Sequence, residues 1–449
     1  GFDGVFEVLA LVEHGHDERD ASRCGRVVLV HVSIMSCTGR RGTRTARSLA
    51  YYGRRMDVIS DARKAYRLLR RALATRAARQ RVRRMLAQRT PFAENRFQIA
   101  VHFADTAVNM YQIRQWYRPL QRLSRRFPVV VLSRSPLGAE ALLKDDALPT
   151  VFAPTVDEVE QFLARQQIRI VLYVNQNTRN FRMFRYGRRW HVFINHGESD
   201  KVYMASNQYK AYDHAFIAGQ AAHDRLAEAL WDYDVDSRTT MIGRPQADHF
   251  AGDLPYTPDD RTVVLYAPTW EGDRASMSYG SVRSHGVTLV ERLLATGRHR
   301  IIYRPHPRTG VMDDDYRAAN EQIISMIGRA NAADPTAQHV HDDGPEIGWQ
   351  LTASDVAIVD VSAMIYDRLA TGKPLLVTRP VSDEAEIDRS GYLSDCEWLP
   401  AERSRDIVDE VERVRADEEA VARLGRWATR YFGDTTPGAA TARFEAAVQ

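Results

Sequence analysis

The sequence predicts an α/β protein: two doubly wound domains in tandem, facing a cleft and preceded by a basic helix. Three observations predict it. Short apolar runs of buried-strand type alternate with helical segments, first over residues 96–250 and again over 261–449. A Gly/Pro-punctuated stretch, Ala251 to Asp260, separates the two series as a linker. Several strands end in polar turns, where open α/β sheets bind ligands.

The leading segment, residues 1–55, has no sustained period and is expected to lie outside the main fold. Residues 56–95 form a basic helical region. From Asp61 to Thr90 there are eleven Lys or Arg against one acidic residue, a balance of +10 in a chain whose net charge is +4. Tyr66, Leu69, Ala72 and Leu73 fit one face of this helix, so an amphipathic helix on an anionic membrane surface is expected. No aromatic RNA-binding motif accompanies it, and no nucleic-acid partner is expected. No apolar run reaches the roughly 20 residues of a membrane span, and no signal-peptide pattern opens the chain. Cys24, Cys37 and Cys396 lack a pairing or zinc-ligand spacing, which fits a reducing cytoplasm.

From Phe97 the alternation is regular. Strands are expected at Phe97–Phe103, Val129–Leu132, Ile168–Val174, Val192–Ile194, Ala215–Ala218 and Thr239–Ile242. Val108–Leu123 reads as a helix that Pro119 breaks or kinks. After the linker come strands at Thr262–Tyr266 and Arg300–Tyr303, a helix at Tyr316–Ile327, and the stretch Ser354–Val377. That stretch runs from a buried strand, Val356–Val359, through Asp360-Val361-Ser362 into a helix from Ala363 to Thr371. Free N–H groups at such a helix start suit an anion, and Ser362 can either cap the helix or bond a phosphate.

Four turns carry the chemistry. Asn195-His196-Gly197-Glu198-Ser199-Asp200-Lys201 places a histidine where it can deprotonate a hydroxyl, with Glu198 or Asp200 to orient it. Ala267-Pro268-Thr269-Trp270-Glu271 follows the next strand. Arg304-Pro305-His306-Pro307-Arg308 presents two guanidiniums and an imidazole on a proline-stiffened turn suited to phosphate; the alternative is a surface turn paired with Asp313–Asp315. Asp360-Val361-Ser362 is the fourth. His14-Gly15-His16 and His339–Asp343 lack a metal-ligand constellation, so no metal and no cofactor is expected.

Together these turns resemble the CDP-glycerol glycerophosphotransferases of bacterial teichoic acid synthesis. His196-Gly197 with Lys201 looks like the family's H-G-T-x-x-K, and Tyr266-Ala267-Pro268-Thr269-Trp270 matches its Y-A-P-T-W. Arg304-Pro305-His306-Pro307 looks like R-x-H-P, and Asp355, Asp360, Ser362 and Asp367 with Lys373-Pro374 fit the last motif. Departures are Gly243-Arg244-Pro245-Gln246-Ala247-Asp248 for G-x-P-R-x-D, Glu198-Ser199-Asp200 for a neutral sequence, and Val361 and Ala363 for Tyr and Ser.

The resemblance implies a GT-B-like fold with an N-terminal acceptor domain and a C-terminal nucleotide domain. It implies transfer of glycerol phosphate, or a related polyol phosphate, from a CDP-linked donor to a hydroxyl of a polyprenol-linked or polymer acceptor, releasing CMP. His196 and His306 are the expected catalytic residues; Arg304, Arg308, Ser362, Ala363, Asp360, Thr269 and Lys201 are expected to bind the donor and its phosphates. The enzyme is expected to be cytoplasmic and peripheral to the inner face of the cell membrane. The rival readings are a glycosyltransferase using a nucleotide sugar for a surface glycan, and a non-enzymatic membrane- or RNA-binding protein.

Overall fold

The structure is a computed structural model that describes residues 47–200, 202–250, 252–344, 347–387 and 391–449. The expectation for residues 1–46 lies outside the described residues, as does the role of Lys201. The described chain up to Arg84 forms one compact unit and residues 85–449 another.

The basic region expected over residues 56–95 is a single helix, α1 (Arg47–Ala87), 41 residues long and begun nine residues earlier than expected. Ala, Leu and Arg favour helix, and no proline interrupts the run. Its apolar residues are spread around the axis rather than gathered in one stripe. Tyr66, Leu68 and Leu73 are exposed, whereas Ala78 and Val82 are buried. Among the described residues no helix is long and apolar enough to cross a membrane.

The second unit holds two parallel sheets. The first contains β1 (Ile99–Phe103), β2 (Val129–Ser133), β3 (Thr150–Phe152), β4 (Ile170–Tyr173), β5 (Trp190–Phe193), β6 (His214–Ile217) and β7 (Thr239–Met241). Its spatial order is β3-β2-β1-β4-β5-β6-β7. The second contains β8 (Thr262–Ala267), β9 (His299–Tyr303), β10 (Val340–His341), β11 (Val356–Val359), β12 (Leu375–Thr378) and β13 (Trp398–Leu399), in the order β10-β9-β8-β11-β12-β13. Alternate residues of each strand feed opposite cores. Ala100, Val130 and Val171 pack on one face of the first sheet, and Val101, Val131 and Leu172 on the other. The same division separates Leu265, Ala357 and Val359 from Val264, Val356 and Ile358 in the second. Burial on both faces explains why these strands read as continuous apolar runs.

Helices cover the sheets. The expected Val108–Leu123 helix is broken into α2 (Met110–Arg114) and α3 (Tyr117–Ser124). The break falls at Gln115-Trp116, immediately before Tyr117-Arg118-Pro119, because proline is tolerated in a first turn but not inside a helix. Helix α4 (Pro136–Asp145) was not anticipated, although Ser135 caps it by accepting the Gly138 N–H and Pro136 occupies its first position. The remaining helices used below are α5 (Gln220–Ala229), α6 (Asp314–Ala333), α7 (Ala363–Leu369), α8 (Glu418–Phe432) and α9 (Ala439–Val448). Helix α9 returns to the first sheet, where Phe444 packs with Trp116, Phe216 and Ile242.

Each sheet has a switch point, where the strand order reverses. In the first it lies between β1 and β4, with Val101 beside Leu172. In the second it lies between β8 and β11, with Val359 beside Ala267. Crevices form at such points, beyond the carboxyl ends of the strands.

Candidate active site

His196 follows β5 on a tightly fastened loop. Asn195 has a φ of +51°, a conformation asparagine tolerates better than most residues. Its Oδ1 accepts the His196 N–H at 2.9 Å, its Nδ2 donates to the Gly197 carbonyl at 2.9 Å, and its own carbonyl accepts the indole N–H of buried Trp116. The imidazole is half-buried. Its Nδ1 lies 3.2 Å from the Val174 carbonyl, which can only accept, so Nδ1 carries the proton and Nε2 the free lone pair. Burial, helped by the nearby Arg244 charge and opposed by the Val174 bond and Asp105, lowers the His196 pKa to about 4. The ring is therefore neutral at pH 7.

Neither Glu198 nor Asp200 is what orients this ring. Glu198 is buried against Arg225 of α5, whose Nη1 also donates to Asp200 at 2.8 Å. Asp200 accepts from Tyr366 Oη of α7 at 2.8 Å and from the Tyr431 hydroxyl of α8. These acidic residues, read as possible orienters, instead tie the histidine loop to the second domain. A carboxylate that does act on His196 is Asp105, just past β1.

Asp105 was missed. It lines, with His196, a cavity of about 540 Å³ at the switch point of the first sheet. Asn109, Asn175 and Asn177 donate to it at 2.9, 2.7 and 2.9 Å. The strand-end rule that found His196 applies equally to Ala104-Asp105 after β1 and Asn175-Gln176-Asn177 after β4. Neither turn carries a histidine or arginine to draw notice.

In the second domain the Arg304–Arg308 turn follows β9. The Arg308 guanidinium carbon sits 3.6 Å from the centre of the Trp270 ring, within cation–π range. His306 stacks near the same indole, with ring centroids 6.4 Å apart. The Arg308 backbone N–H donates to His306 Nδ1 at 3.1 Å, so the neutral ring carries its proton on Nε2. Burial and the Arg308 charge hold the His306 pKa below its ordinary value. Glu271, beside Trp270, accepts the Gly310 and Met312 N–H groups at 2.9 and 2.7 Å and so fixes the turn from below. Arg304 pairs with Asp342 rather than Asp313–Asp315, and its Nη2 donates to the Gly344 carbonyl at 3.0 Å.

Asp360 is fully buried at the second switch point. It accepts the Thr269 N–H at 2.7 Å, the Ser281 N–H at 3.1 Å and the Thr378 hydroxyl at 2.5 Å. Burial raises its pKa to about 6 in spite of these bonds. Ser362 caps α7, its Oγ accepting the Met364 N–H at 3.3 Å and keeping its own O–H to donate, and Ala363 beside it is exposed. The structure thus gathers Thr269, Asp360, His306 and Arg308 onto the β8, β9 and β11 ends, and His196 onto the first sheet. A groove of about 760 Å³ runs between the two domains, lined by Tyr111 and Arg114 from one and Ile347 and Trp349 from the other.

Solved structures share this architecture at low identity. A putative UDP-N-acetylglucosamine 2-epimerase from Listeria monocytogenes superposes with a TM-score of 0.52 at 14% identity, covering 79% of this chain and 96% of its own. The wall teichoic acid polymerase TagF gives 0.52 at 12% identity, covering 87% and 97%. A variant of that polymerase soaked with CDPG gives 0.51 at 12%, with the same coverage. These likenesses are of fold, and the fold is GT-B-like, as expected. No curated protein matches the sequence. The family described as CDP-Glycerol:Poly(glycerophosphate) glycerophosphotransferase matches residues 197–448, more than half of the chain. On that match, which takes in the Tyr266–Trp270, Arg304–Arg308 and Asp360–Ser362 turns, the chain belongs to the CDP-glycerol:poly(glycerophosphate) glycerophosphotransferase family of transferases.

Proposed function

We propose that this enzyme moves glycerol phosphate, or a related polyol phosphate, from a CDP-linked donor to a hydroxyl of a membrane-associated acceptor and releases CMP. The observation that carries the reading is the opposed state of the two histidines: Nε2 of His196 is free to accept a proton, whereas Nε2 of His306 holds one to donate. His196 takes the proton of the acceptor hydroxyl. The acceptor oxygen bonds to the donor's β-phosphorus, the bond from that phosphorus to the bridging oxygen breaks, and CMP leaves with the electron pair. His306 Nε2–H and the Arg308 and Arg304 guanidiniums meet the growing negative charge, by positioning and electrostatics rather than covalent chemistry. The Ser362 hydroxyl and the N–H groups opening α7 at Ala363 hold a donor phosphate, and Thr269 and Lys201 are assigned to the donor by their motifs alone. Asp360 acts through Thr269, holding that turn in register.

The likeness to the wall teichoic acid polymerase TagF, a variant of which was soaked with CDPG, supports the choice of donor. The eleven Lys and Arg of residues 61–90 support docking on the anionic inner leaflet, where each basic side chain near the surface is worth about 1 kcal/mol. The deciding experiment incubates the protein with CDP-glycerol, CDP-ribitol and a panel of nucleotide sugars and identifies the released nucleotide by mass spectrometry. CMP from a CDP-alditol is expected. A nucleoside diphosphate released from a sugar donor would make it a glycosyltransferase instead.

A further inference from the structure

We propose that Asp105, Asn175, Asn177 and Gln112 form a subsite beside His196 that takes the neutral hydroxyls of a sugar or polyol unit at the acceptor's end and turns phosphate away. Calling it the acceptor side rests on the phosphotransfer reading above. The cavity is about 540 Å³, within the range of small-ligand sites. Six of its eleven lining residues are Asn or Gln and one is Asp; none among the described lining residues is Lys or Arg. The second domain, by contrast, gathers Arg304, His306 and Arg308 on one turn. Phosphate chemistry and neutral chemistry are thus divided between the two sheets.

The hydrogen-bond inventory shows what the cavity can hold. Asp105 accepts from Asn109 on one oxygen and from Asn175 and Asn177 on the other. A carboxylate has about four acceptor sites, so roughly one remains for an incoming O–H. Asn175 also donates to Gln112 at 2.7 Å, while its Oδ1 is buried with no partner in a side chain only 3% exposed. A hydroxyl both donates and accepts, and so matches an amide and a carboxylate at once; a phosphodiester brings only acceptors, and any phosphate meets the Asp105 charge. Tyr111, half-exposed, stands edge-on to His196 with ring centroids 5.7 Å apart, and offers a face for the C–H side of a ring. His196 lines the same cavity and turns Nδ1 to Val174, which leaves Nε2 to receive the proton of a hydroxyl held there.

The test is saturation-transfer NMR on the full chain with CMP added to fill the donor side. Methyl β-D-glucopyranoside and ribitol serve as neutral probes, and sn-glycerol 3-phosphate and inorganic phosphate as charged ones. The neutral probes are expected to bind and to lose about tenfold in affinity in Asp105→Asn and in Gln112→Ala, with CMP binding unchanged. Phosphate binding is expected to be weak and to rise in Asp105→Asn. Charged probes that bind the wild type as well as neutral ones, or neutral probes indifferent to both substitutions, overturn the proposal. Should Asp105→Asn not fold, Gln112→Ala decides alone. CMP release from CDP-glycerol is assayed on the same preparations. Release without substitution-sensitive binding of the neutral probes overturns the subsite only; such binding without release overturns the phosphotransfer reading only.

Discussion

Arg244 and Asp367 form an ion pair in which each side chain is less than a tenth exposed, joining the turn after β7 to α7 of the second domain. Gly243 makes the turn: its φ is +75°, and a side chain there would press within 2.9 Å of the Phe432 carbonyl. Arg244 also donates to Gln115 at 3.3 Å and helps keep His196 neutral. Burial pushes the Asp367 pKa up and outweighs the pull of Arg244. Here the sequence departs from the family's G-x-P-R-x-D, and the arginine serves as a bridge between domains.

Removing one partner of that pair leaves a buried charge uncompensated. Arg244→Ala is expected to cost about 3–5 kcal/mol of stability, and Arg244→Met with Asp367→Leu to recover most of it, as read by urea unfolding. A double variant as unstable as the single would show that the pair matters through packing rather than charge.

His196→Ala is expected to lower kcat by about 10²–10⁴ while leaving CDP-glycerol affinity within a few-fold. The base is active only when unprotonated. Since its pKa is lowered to about 4, the acid limb of kcat/KM should fall near pH 4 rather than near 6.5. An acid limb centred near 6.5 would mean that the ring is not in the environment described.

Arg308→Lys keeps the charge but loses the flat guanidinium stacked on Trp270. Donor affinity is expected to drop about tenfold in this variant and in Trp270→Leu, measured calorimetrically with CDP-glycerol. If the lysine variant binds like the wild type, the stack contributes nothing to donor recognition.

Asp360 makes stability depend on pH. Its pKa is raised from the ordinary 3.8 to about 6, so the native state holds a proton that the unfolded state has lost between those values. The group therefore contributes most below pH 4, and its contribution falls as pH rises through 6, by on the order of 3 kcal/mol. Asp360→Asn should flatten the change in melting temperature between pH 4 and 6. The new amide also faces the Thr269 and Ser281 N–H groups, so donor binding is expected to weaken through the displaced turn.

Much of this was legible in the chain itself. Strands buried on both faces need apolar residues at every position, so Val129–Leu132 and Val356–Val359 stand out without any structure. Tyr266–Trp270, Arg304–Arg308 and His196-Gly197 were visible because their side chains carry recognisable chemistry on strand ends. Asp105 and the Asn175–Asn177 turn were not, since amides acquire meaning only from what they bond. Ser362 could be read as a cap or a phosphate ligand, and the fold makes it a cap whose own O–H is still left to donate.

The sequence by itself determined the elements, the cleft-facing turns and the family, because periodicity and side-chain chemistry are local properties of the chain. Only the tertiary structure decided which turns share a switch point, that Val174 rather than Glu198 or Asp200 orients His196, and that Arg244 reaches Asp367. Those outcomes depend on strand order and on backbone carbonyls. Every residue carries such a carbonyl, so no pattern of side chains can mark the one that will matter.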